Sequence, residues 1–402
     1  MKTLFVTATA QTEANYYLIW HLFKANESDV NQIVIISTDF TRKQGYVDNL
    51  IKLLTFKELA FDASIQVDVL HLADGIEESS VDAIKEVLLD WLSEHKPTQV
   101  IFNITGGTKL ISIAQDQIAQ LHSHHQCVYQ SRNNNQLVWY NNPPNQQRFD
   151  LILPENIIAR LKGRGFELRN PATSFLNLPA RQFVYATELS RYMRADFKKA
   201  RRLVLLLNAL SAKPLNDKAA TYPYTTTMEQ SSFLNDLESW LKLLAQIADP
   251  YFAYDSQAGT LTWRSKEDAA FVSGKWFEVF VSFLLFSHFA EQKRQVELLI
   301  GLEFKRSSDG NEIDVAYLDQ GHLNLFECKT VNWEGQSNPT NKVNTDLHKL
   351  VSVGQVGGLN SHNYFVSLFD ISEQSLAVAK DSGVTVVMGR QILDIANYLQ
   401  SF

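Results

Sequence analysis

The first 150 residues alternate between short apolar runs and longer helical patterns, and this alternation constrains the fold more than any other feature. The strand-like runs are LFVTAT, QIVIIST, QVDVLHL, QVIFNIT, QCVYQS and QLVWY, and the helical patterns fall at 13–25, 43–60, 79–95 and 109–123. Strands joined by helices of this length predict a mostly parallel α/β sheet covered on both faces. The last two runs, separated by RNNN, predict a terminal hairpin, and the Asn142-Pro143-Pro144-Asn145 run that follows predicts a domain exit.

The pattern changes twice after that exit. Residues 151–260 read mainly as helix and loop, with 213–232 as a loop. Residues 261–402 predict a second α/β domain. Its predicted elements are a long helix at about 267–290, strands at 296–304, 312–318 and 322–329, a helix near 342–353, and a closing strand–helix–strand–helix segment. We therefore expect three regions, at 1–150, 151–260 and 261–402.

Composition excludes several classes of protein. Of the 402 residues, 45% are hydrophobic and 20% charged, with a net charge of −7, which is ordinary for a soluble chain and argues against indiscriminate coating of nucleic acid. The only cysteines, Cys127 and Cys328, cannot form a disulfide framework or a four-cysteine zinc site. No signal-peptide core or run of about 20 apolar residues is present. We expect a cytoplasmic protein without a membrane partner.

A basic segment at residues 160–202 stands out against this acidic background. It holds eleven Lys or Arg residues and only three acidic ones. The segment fits either a solvated helix face packed on acidic neighbours or a surface that contacts phosphates. A histidine cluster, His122, His124 and His125, has no spaced partner and is interpreted as a solvated helix end.

A glycine pair follows the fourth strand-like run. Gly106-Gly107 lets the backbone approach a ligand closely, and the helix that starts at Lys109 offers free N–H groups and a positive dipole end. Thr105, Thr108 and Lys109 add hydroxyls and a cation. The turn suits a phosphate-bearing ligand, although its spacing is that of neither a P-loop nor G-x-G-x-x-G.

Two further strand ends carry polar groups that could reach the same ligand. They are Thr7-Ala8-Thr9 and Thr38-Asp39-Phe40. Ligands of open α/β sheets lie beyond the carboxyl ends of the strands. The alternative is that these residues are only helix caps and tight turns.

The run Asn103-Ile104-Thr105-Gly106-Gly107-Thr108-Lys109 resembles the signature of CARF domains, the CRISPR-associated Rossmann-like sensors. The resemblance implies a homodimer that binds a cyclic oligoadenylate between its subunits, with cyclic tetra-adenylate as the expected activator. It also implies that residues 106–109 contact ring phosphates or riboses, and that the loops at 7–9 and 38–40 line the pocket.

A second group of polar residues lies near the C-terminus. Glu312-Ile313-Asp314 sits in the strand-like stretch NEIDVAYL, and Glu327-Cys328-Lys329 ends the stretch HLNLFECK. Side chains alternate along a strand, so Glu327 and Lys329 share a face, and a hairpin return could bring Asp314 beside them. Two carboxylates and an amine at strand ends suit a divalent metal and an attacking water.

Glu278 is the only charged residue between Trp276 and Phe286. A carboxylate on so apolar a helix is unfavourable unless it is paired or bound to a metal. The alternative is a salt bridge to Lys275 or Lys329.

The order of a helical Glu, an Asp and an E-x-K resembles the PD-(D/E)xK nuclease superfamily, with Ile313 in place of the proline. The resemblance implies a restriction-endonuclease-like domain in which Glu278, Asp314, Glu327 and Lys329 are catalytic. Asp314, Glu327 and the Cys328 carbonyl would bind Mg²⁺ or Mn²⁺, with Lys349 and Gln355 assisting.

The two halves together resemble the CARF–PD-(D/E)xK effector nucleases of type III CRISPR systems. This resemblance implies a nuclease for DNA, RNA or both that a cyclic oligoadenylate activates. The rival from another class is a nonenzymatic nucleotide sensor whose C-terminal region relays the signal or recruits partners. The residues leave open whether the N-terminal domain also degrades its activator.

Overall fold

The computed structural model describes residues 2–24, 29–55, 65–73, 75–76, 80–131, 136–141, 148–151, 156–163, 166–228, 232–306, 309–319, 321–354 and 361–399. The RNNN turn, the Asn142–Asn145 exit, Gln355 and the Gly357-Gly358 pair lie outside the described residues. The chain divides into two compact units, Met1–Glu167 and Leu168–Phe402.

The first unit is built on one seven-stranded sheet. Its strands are β1 (Lys2–Thr7), β2 (Val30–Ser37), β3 (Gln66–His71), β4 (Gln99–Asn103), β5 (Gln126–Ser131), β6 (Gln136–Tyr140) and β7 (Arg148–Asp150). The described helices are α1 (Thr12–Lys24), α2 (Asp39–Lys43), α3 (Tyr46–Leu54), α4 (Val81–His95), α5 (Lys109–Gln120) and α6 (Ile157–Gly163). The strand order is β3-β2-β1-β4-β5-β6-β7, parallel from β3 to β5 and antiparallel at β6 and β7.

Alternating strand residues separate the core of this unit into two layers. Leu4 and Val6 pack with α1 and α3 on one face, whereas Phe5 packs with Trp91 of α4 and Ile118 of α5 on the other. The predicted α/β sheet is confirmed, with β7 as an unpredicted extra strand. Because strand order reverses between β1 and β4, the loops after these two strands flank the switch point at which such sheets bind ligands.

The second unit contains helices and two sheets. Its helices are α7 (Ala180–Ala195), α8 (Phe197–Asn216), α9 (Ser232–Ala245), α10 (Lys266–Ala270), α11 (Trp276–Glu291), α12 (Pro339–Gly354) and α13 (Glu373–Asp381), with a π turn at Phe271–Lys275 and 3₁₀ turns at Phe175–Asn177, Trp333–Gly335 and Gly389–Tyr398. Its strands are β9 (Thr173–Ser174), β10 (Tyr224–Thr227), β11 (Phe252–Asp255), β12 (Thr260–Trp263), β13 (Leu298–Arg306), β14 (Asp309–Asp319), β15 (His322–Lys329), β16 (Ser361–Ser367) and β17 (Val384–Met388), and β8 (Glu167–Leu168) straddles the boundary between the units.

The larger sheet of this unit carries the predicted nuclease strands. It runs β17-β16-β15-β14-β13, with β9 on β13. Strands β13, β14 and β15 are antiparallel neighbours, whereas β15, β16 and β17 are parallel. This mixed sheet confirms the second α/β domain and places the carboxyl ends of β15 and β16 side by side.

Two local expectations for this unit were wrong. A small antiparallel sheet, β10-β12-β11, lies within and just beyond the region expected to be helix and loop. The expected loop at 213–232 contains the end of α8 and all of β10. The long helix expected at about 267–290 is confirmed as the helical stretch Lys266–Glu291, which contains the π turn. Strands of four residues carry too short an alternation to stand out from a loop.

The helical stretch Lys266–Glu291 is the one described segment that is long and apolar enough to cross a membrane by these two criteria alone. Within its most apolar window, 61% of residues are buried inside the protein. This burial is what a core helix of a globular domain shows.

Candidate functional sites

The β14–β15 hairpin brings the predicted carboxylates together. Its ladder ends at the pair Val315–Phe326, and Asp314 and Glu327 are the next residues on each strand. At this point the backbone N–H of Cys328 donates to Oδ2 of Asp314 at 2.6 Å. The hairpin return that the sequence predicts therefore exists, and it holds Asp314 against the end of β15.

Lys329 completes the strand end. Its ammonium group forms an ion pair with Glu327, whose side chain is only 6% exposed, whereas the side chain of Lys329 is 24% exposed. The pair is thus buried on the carboxylate side and partly accessible to solvent on the amine side. An amine in that position can face an anionic substrate while its partner carboxylate stays within the protein.

Glu278 lies in the first turn of α11, flanked by the buried residues Phe277 and Val279. Burial, and then the charges of Asp314 and Glu312, raise the pKa of Glu278 well above its ordinary value. The nearby charge of Lys275 opposes this shift but does not outweigh it. Glu278 therefore belongs electrostatically to the carboxylate group and is not simply neutralised by a salt bridge.

The pKa values of Asp314 and Lys329 show that negative charge is concentrated at the site. Burial and the charge of Glu327 raise the pKa of Asp314 to about 7, against the opposing effects of Lys329 and the Cys328 N–H. Burial lowers the pKa of Lys329, but the charges of Glu327 and Asp314 outweigh it and the net shift is upward. The site holds more acid than one lysine can balance, so it favours an added cation.

Sequence reasoning missed one acidic neighbour. Burial raises the pKa of Asp346 on α12, Lys329 and Lys349 lower it, and Glu327 raises it. Asp346 and the exposed Lys349 thus lie within electrostatic range of the Lys329 end of the site. The sequence signal, an Asp three residues before Lys349 on a predicted helix, was too common to single out.

A divalent metal ion fits these residues if one or two carboxylates hold it and water completes its coordination. Within the described residues, no three His, Cys, Asp or Glu side chains converge closely enough to form a ready-made cage. Mg²⁺ commonly uses only one or two protein carboxylates and keeps several waters. The charge of Glu327 raises the pKa of Asp314, and a shared cation would relieve this repulsion, so the two carboxylates are suited to share such an ion.

Cys328 contributes backbone atoms to the site. Burial and the charge of Asp314 raise the pKa of its thiol well above the ordinary value, which leaves the sulfur protonated and unreactive. Its N–H already fixes Asp314. Its carbonyl as a metal ligand remains a prediction.

In the first unit, the glycine pair is pressed against the end of β1. A Cβ on Gly106 would lie 3.0 Å from Cγ2 of Thr9, and one on Gly107, whose φ is +90°, would lie 2.8 Å from Cγ2 of Thr7. The structure thus brings the Thr7–Thr9 loop and the glycine turn together at the switch point. Only glycine allows this approach and this backbone conformation.

The residues around the glycine pair divide into supports and exposed groups. The Thr105 hydroxyl accepts from the backbone N–H of Gln130 at 2.8 Å, so it anchors the turn to β5. Thr108 caps α5 by accepting from the N–H of Ile111 at 3.4 Å. Lys109 is exposed at the first turn of the helix, where its ammonium and the helix N-terminus can act on the same anion.

A buried amide network supports the turn from below. The Asn103 side chain donates to Asn15 Oδ1 at 2.8 Å, and the Asn15 side chain donates to the carbonyl of Thr7 at 2.7 Å. It ties β4 to α1 and to the end of β1. Of these two asparagines, the sequence could point only to Asn103, because it begins the glycine signature.

The residues of the third predicted loop, 38–40, differ in their surroundings. Thr38 is 4% exposed and its hydroxyl accepts from Thr41 N–H at 3.2 Å in a reciprocal cap of α2, which matches the helix-cap alternative. Asp39 pairs with His71 Nε2 at 3.2 Å, and Phe40 is 61% exposed.

The basic segment is largely matched by acidic neighbours where it is described. Five of its cations, Arg181, Arg191, Lys199, Arg201 and Arg202, form ion pairs with Asp or Glu. Arg194 and Lys198 are exposed and have no ion pair within the described part of the chain. Arg164 lies outside the described residues, as does the side chain of Arg160.

Comparisons with known proteins agree with this division. Residues 6–156 match the family model of the Card1 CARF domain, and residues 265–402 match that of the Card1-like endonuclease domain. No curated protein sequence matches the chain.

Two solved structures share the fold over almost the whole chain. Can2 from Sulfobacillus thermosulfidooxidans, solved in complex with cyclic tetra-adenylate, has a TM-score of 0.70 and 16% identity, and the match covers 100% of both chains. The protein VC1899 from Vibrio cholerae has a TM-score of 0.74 and 16% identity, over 98% of this chain and 96% of that one.

Proposed function

We propose that this chain, which joins a CARF domain to a Card1-like endonuclease domain, is a metal-dependent nuclease activated by a cyclic oligoadenylate in type III CRISPR defence. The observation that carries the proposal is the pairing of two sites on one chain. A glycine turn lies at the switch point of the CARF sheet, and a carboxylate–lysine group lies at a strand end of the endonuclease domain.

In the nuclease site, Asp314 and Glu327 would hold the Mg²⁺ or Mn²⁺ ion. Such an ion, when bound, lowers the pKa of a water and polarises the phosphate. The Cys328 N–H keeps Asp314 in place. The Lys329 amine, partly exposed beside Glu327, would offer a positive charge to the phosphate as negative charge develops. Glu278, with its raised pKa, can hold a proton or position a water near the other carboxylates.

In the CARF site, the N–H groups at the start of α5 and the Lys109 amine would bind activator phosphates. The ligand would be cyclic tetra-adenylate, which is the ligand of the similar Can2 structure. A homodimer would place two such turns around one two-fold symmetric ring. Activation then requires that the ring bind more tightly to the cleavage-competent arrangement than to the resting one.

The substrate would be DNA, RNA or both, acted on in the cytoplasm. Arg194 and Lys198 are exposed cations of the basic segment that have no ion pair among the described residues, and they would be available to phosphates. We expect them to contribute modestly and without base preference, since lysine and arginine contacts to phosphate position a strand but do not read its sequence.

The nonenzymatic sensor is the rival that the test must exclude. Single-stranded DNA, single-stranded RNA and supercoiled plasmid are each incubated with the protein, with Mn²⁺ or Mg²⁺, with and without cyclic tetra-adenylate. Glu327→Gln removes one metal-binding charge, and Glu291→Gln, an exposed carboxylate at the far end of α11, is the matched control.

The proposal predicts cleavage that needs metal and activator, is lost in Glu327→Gln and survives in Glu291→Gln. Activator binding without cleavage of any substrate would support the nonenzymatic sensor instead. Cleavage that Glu327→Gln leaves intact would place the active site elsewhere.

A further inference from the structure

A chain of hydrogen bonds joins three elements of the second unit immediately beside the nuclease site. The Asn208 side-chain amide on α8 donates to the carbonyl of Thr330 at 3.1 Å and to its hydroxyl at 3.4 Å. The Thr330 hydroxyl donates in turn to the carbonyl of Ser273 at 3.4 Å. Donors and acceptors therefore run in one direction, from Asn208 through Thr330 to Ser273.

Two of the three residues in this chain lie on segments that carry a site residue. Thr330 directly follows Lys329, and Ser273 lies in the π turn Phe271–Lys275, which leads into the helix that carries Glu278. A π turn leaves a backbone carbonyl without its usual helical donor, and such turns are frequent at functional sites. The Thr330 hydroxyl donates to a carbonyl within this turn.

Thr330 is buried just beyond the end of β15. Thr330 is 7% exposed, and a Cβ added to Gly274 would lie 3.9 Å from its hydroxyl. On the neighbouring strand, the backbone N–H of Leu368 donates to the carbonyl of Lys329 at 2.8 Å. The end of β15 is thus held from both sides, by β16 and by the Asn208–Thr330 contact.

The side-chain oxygen of Asn208 also bears on the role of this residue. Its amide oxygen is buried and finds no hydrogen-bond partner among the described residues. A buried, unpaired carbonyl oxygen is unfavourable, so stability alone does not favour an amide here. The donor half of the amide is the part that the structure uses.

We propose that Thr330 and Asn208 are positioning residues that set the distance and orientation between Glu278 on α11 and Lys329 on β15. This inference rests on the proposed nuclease function. Neither residue touches the substrate; each acts by fixing the elements that do. A displacement of about 1 Å in a reacting group can cost on the order of 100-fold in rate, so a small relaxation of this contact is measurable.

The test uses the full-length protein with metal and activator at saturation. Thr330→Val keeps the shape and removes the hydroxyl, Thr330→Ser keeps the hydroxyl, and Asn208→Leu removes the donor together with the unpaired oxygen. Thr345→Val is the matched control, because Thr345 is exposed on α12 and its hydroxyl donates to Asn341 O of the same helix.

The expected result is a fall in kcat of roughly 10- to 100-fold for Thr330→Val and Asn208→Leu, with KM for the nucleic acid changed less than about threefold. Thr330→Ser should restore most of kcat, and the melting temperature of Asn208→Leu should stay near that of the wild type. Unchanged kcat in Thr330→Val and Asn208→Leu, or equal losses in Thr330→Ser and Thr330→Val, would overturn the inference. If the wild-type protein itself does not cleave, the proposed function fails, which is a separate outcome.

Discussion

Substituting Gly107 with alanine tests the architecture of the activator turn most specifically. Gly107 has a φ of +90°, and a Cβ there would lie 2.8 Å from Cγ2, 3.1 Å from Cβ and 3.2 Å from Oγ1 of Thr7. A left-handed backbone costs a non-glycine residue about 1–2 kcal/mol. Overpacking against a buried side chain costs about 1–3 kcal/mol more. Gly107→Ala should therefore lower the free energy of unfolding of the first unit by roughly 2–5 kcal/mol.

Gly45→Ala separates the two contributions. Gly45 has a φ of +73°, but an added Cβ would meet nothing within 4 Å, so only the backbone cost of about 1–2 kcal/mol applies. Thr7→Ser in the Gly107→Ala background removes the methyl group at 2.8 Å and should recover part of the contact cost but none of the backbone cost.

Differential scanning calorimetry of the full-length variants measures both effects, since about 1 kcal/mol shifts the melting temperature of a unit this size by roughly 2–4 °C. Equal shifts for Gly107→Ala and Gly45→Ala would refute the close approach of the turn to β1. No recovery on adding Thr7→Ser would refute the assignment of the contact to that methyl group.

Four further predictions concern Glu278, Lys109, Asp314 and His125. Glu278→Gln should reduce cleavage by about 100-fold or more, and Glu291→Gln should leave it unchanged in the same assay. Lys109→Gln should weaken activator binding by roughly 10- to 100-fold in calorimetric titration, because a charged hydrogen bond is lost. Mn²⁺ should raise the melting temperature of the wild type at pH 8 but little at pH 5, since the pKa of Asp314 is raised to about 7 and protons compete with the metal; Asp314→Asn should abolish the rise. Burial and the charges of His124 and His122 lower the pKa of His125 from 6.5 to about 4. Protonation of His125 therefore has no effect on stability above pH 6.5, and it destabilises the fold as the pH falls from 6.5 toward 4, by up to about 3 kcal/mol. His125→Gln should flatten the pH dependence of the melting temperature between pH 6.5 and pH 4.

The sheets and most of the site could be predicted because their signals are local. Apolar runs of five or six residues separated by helical patterns indicate a parallel sheet, and this signal does not depend on which strands pair with each other. The alternation along β15 alone places Glu327 and Lys329 on one face. Asp314 needed one further inference, the hairpin return, and its bond to the Cys328 N–H agrees with it.

The features that the sequence did not predict depend mainly on contacts between residues that are distant in the chain. Asn208 and Thr330 are 122 residues apart, and nothing near either of them in the sequence indicates the other. The π turn at Phe271–Lys275 reads as ordinary helix. The capping role of Thr38, by contrast, could have been predicted from the second threonine three residues later, because that spacing allows a reciprocal cap.

The most direct test of the account is whether ligand binding at the CARF turn controls cleavage at the carboxylate–lysine site. We would measure the initial cleavage rate of a labelled single strand, with Mn²⁺ saturating, against cyclic tetra-adenylate concentration for the wild type and Lys109→Gln. The account predicts negligible cleavage without activator, and a curve for Lys109→Gln shifted to higher activator concentration with the same maximal rate. Equal rates with and without activator, or superimposable curves for the two proteins, would contradict it.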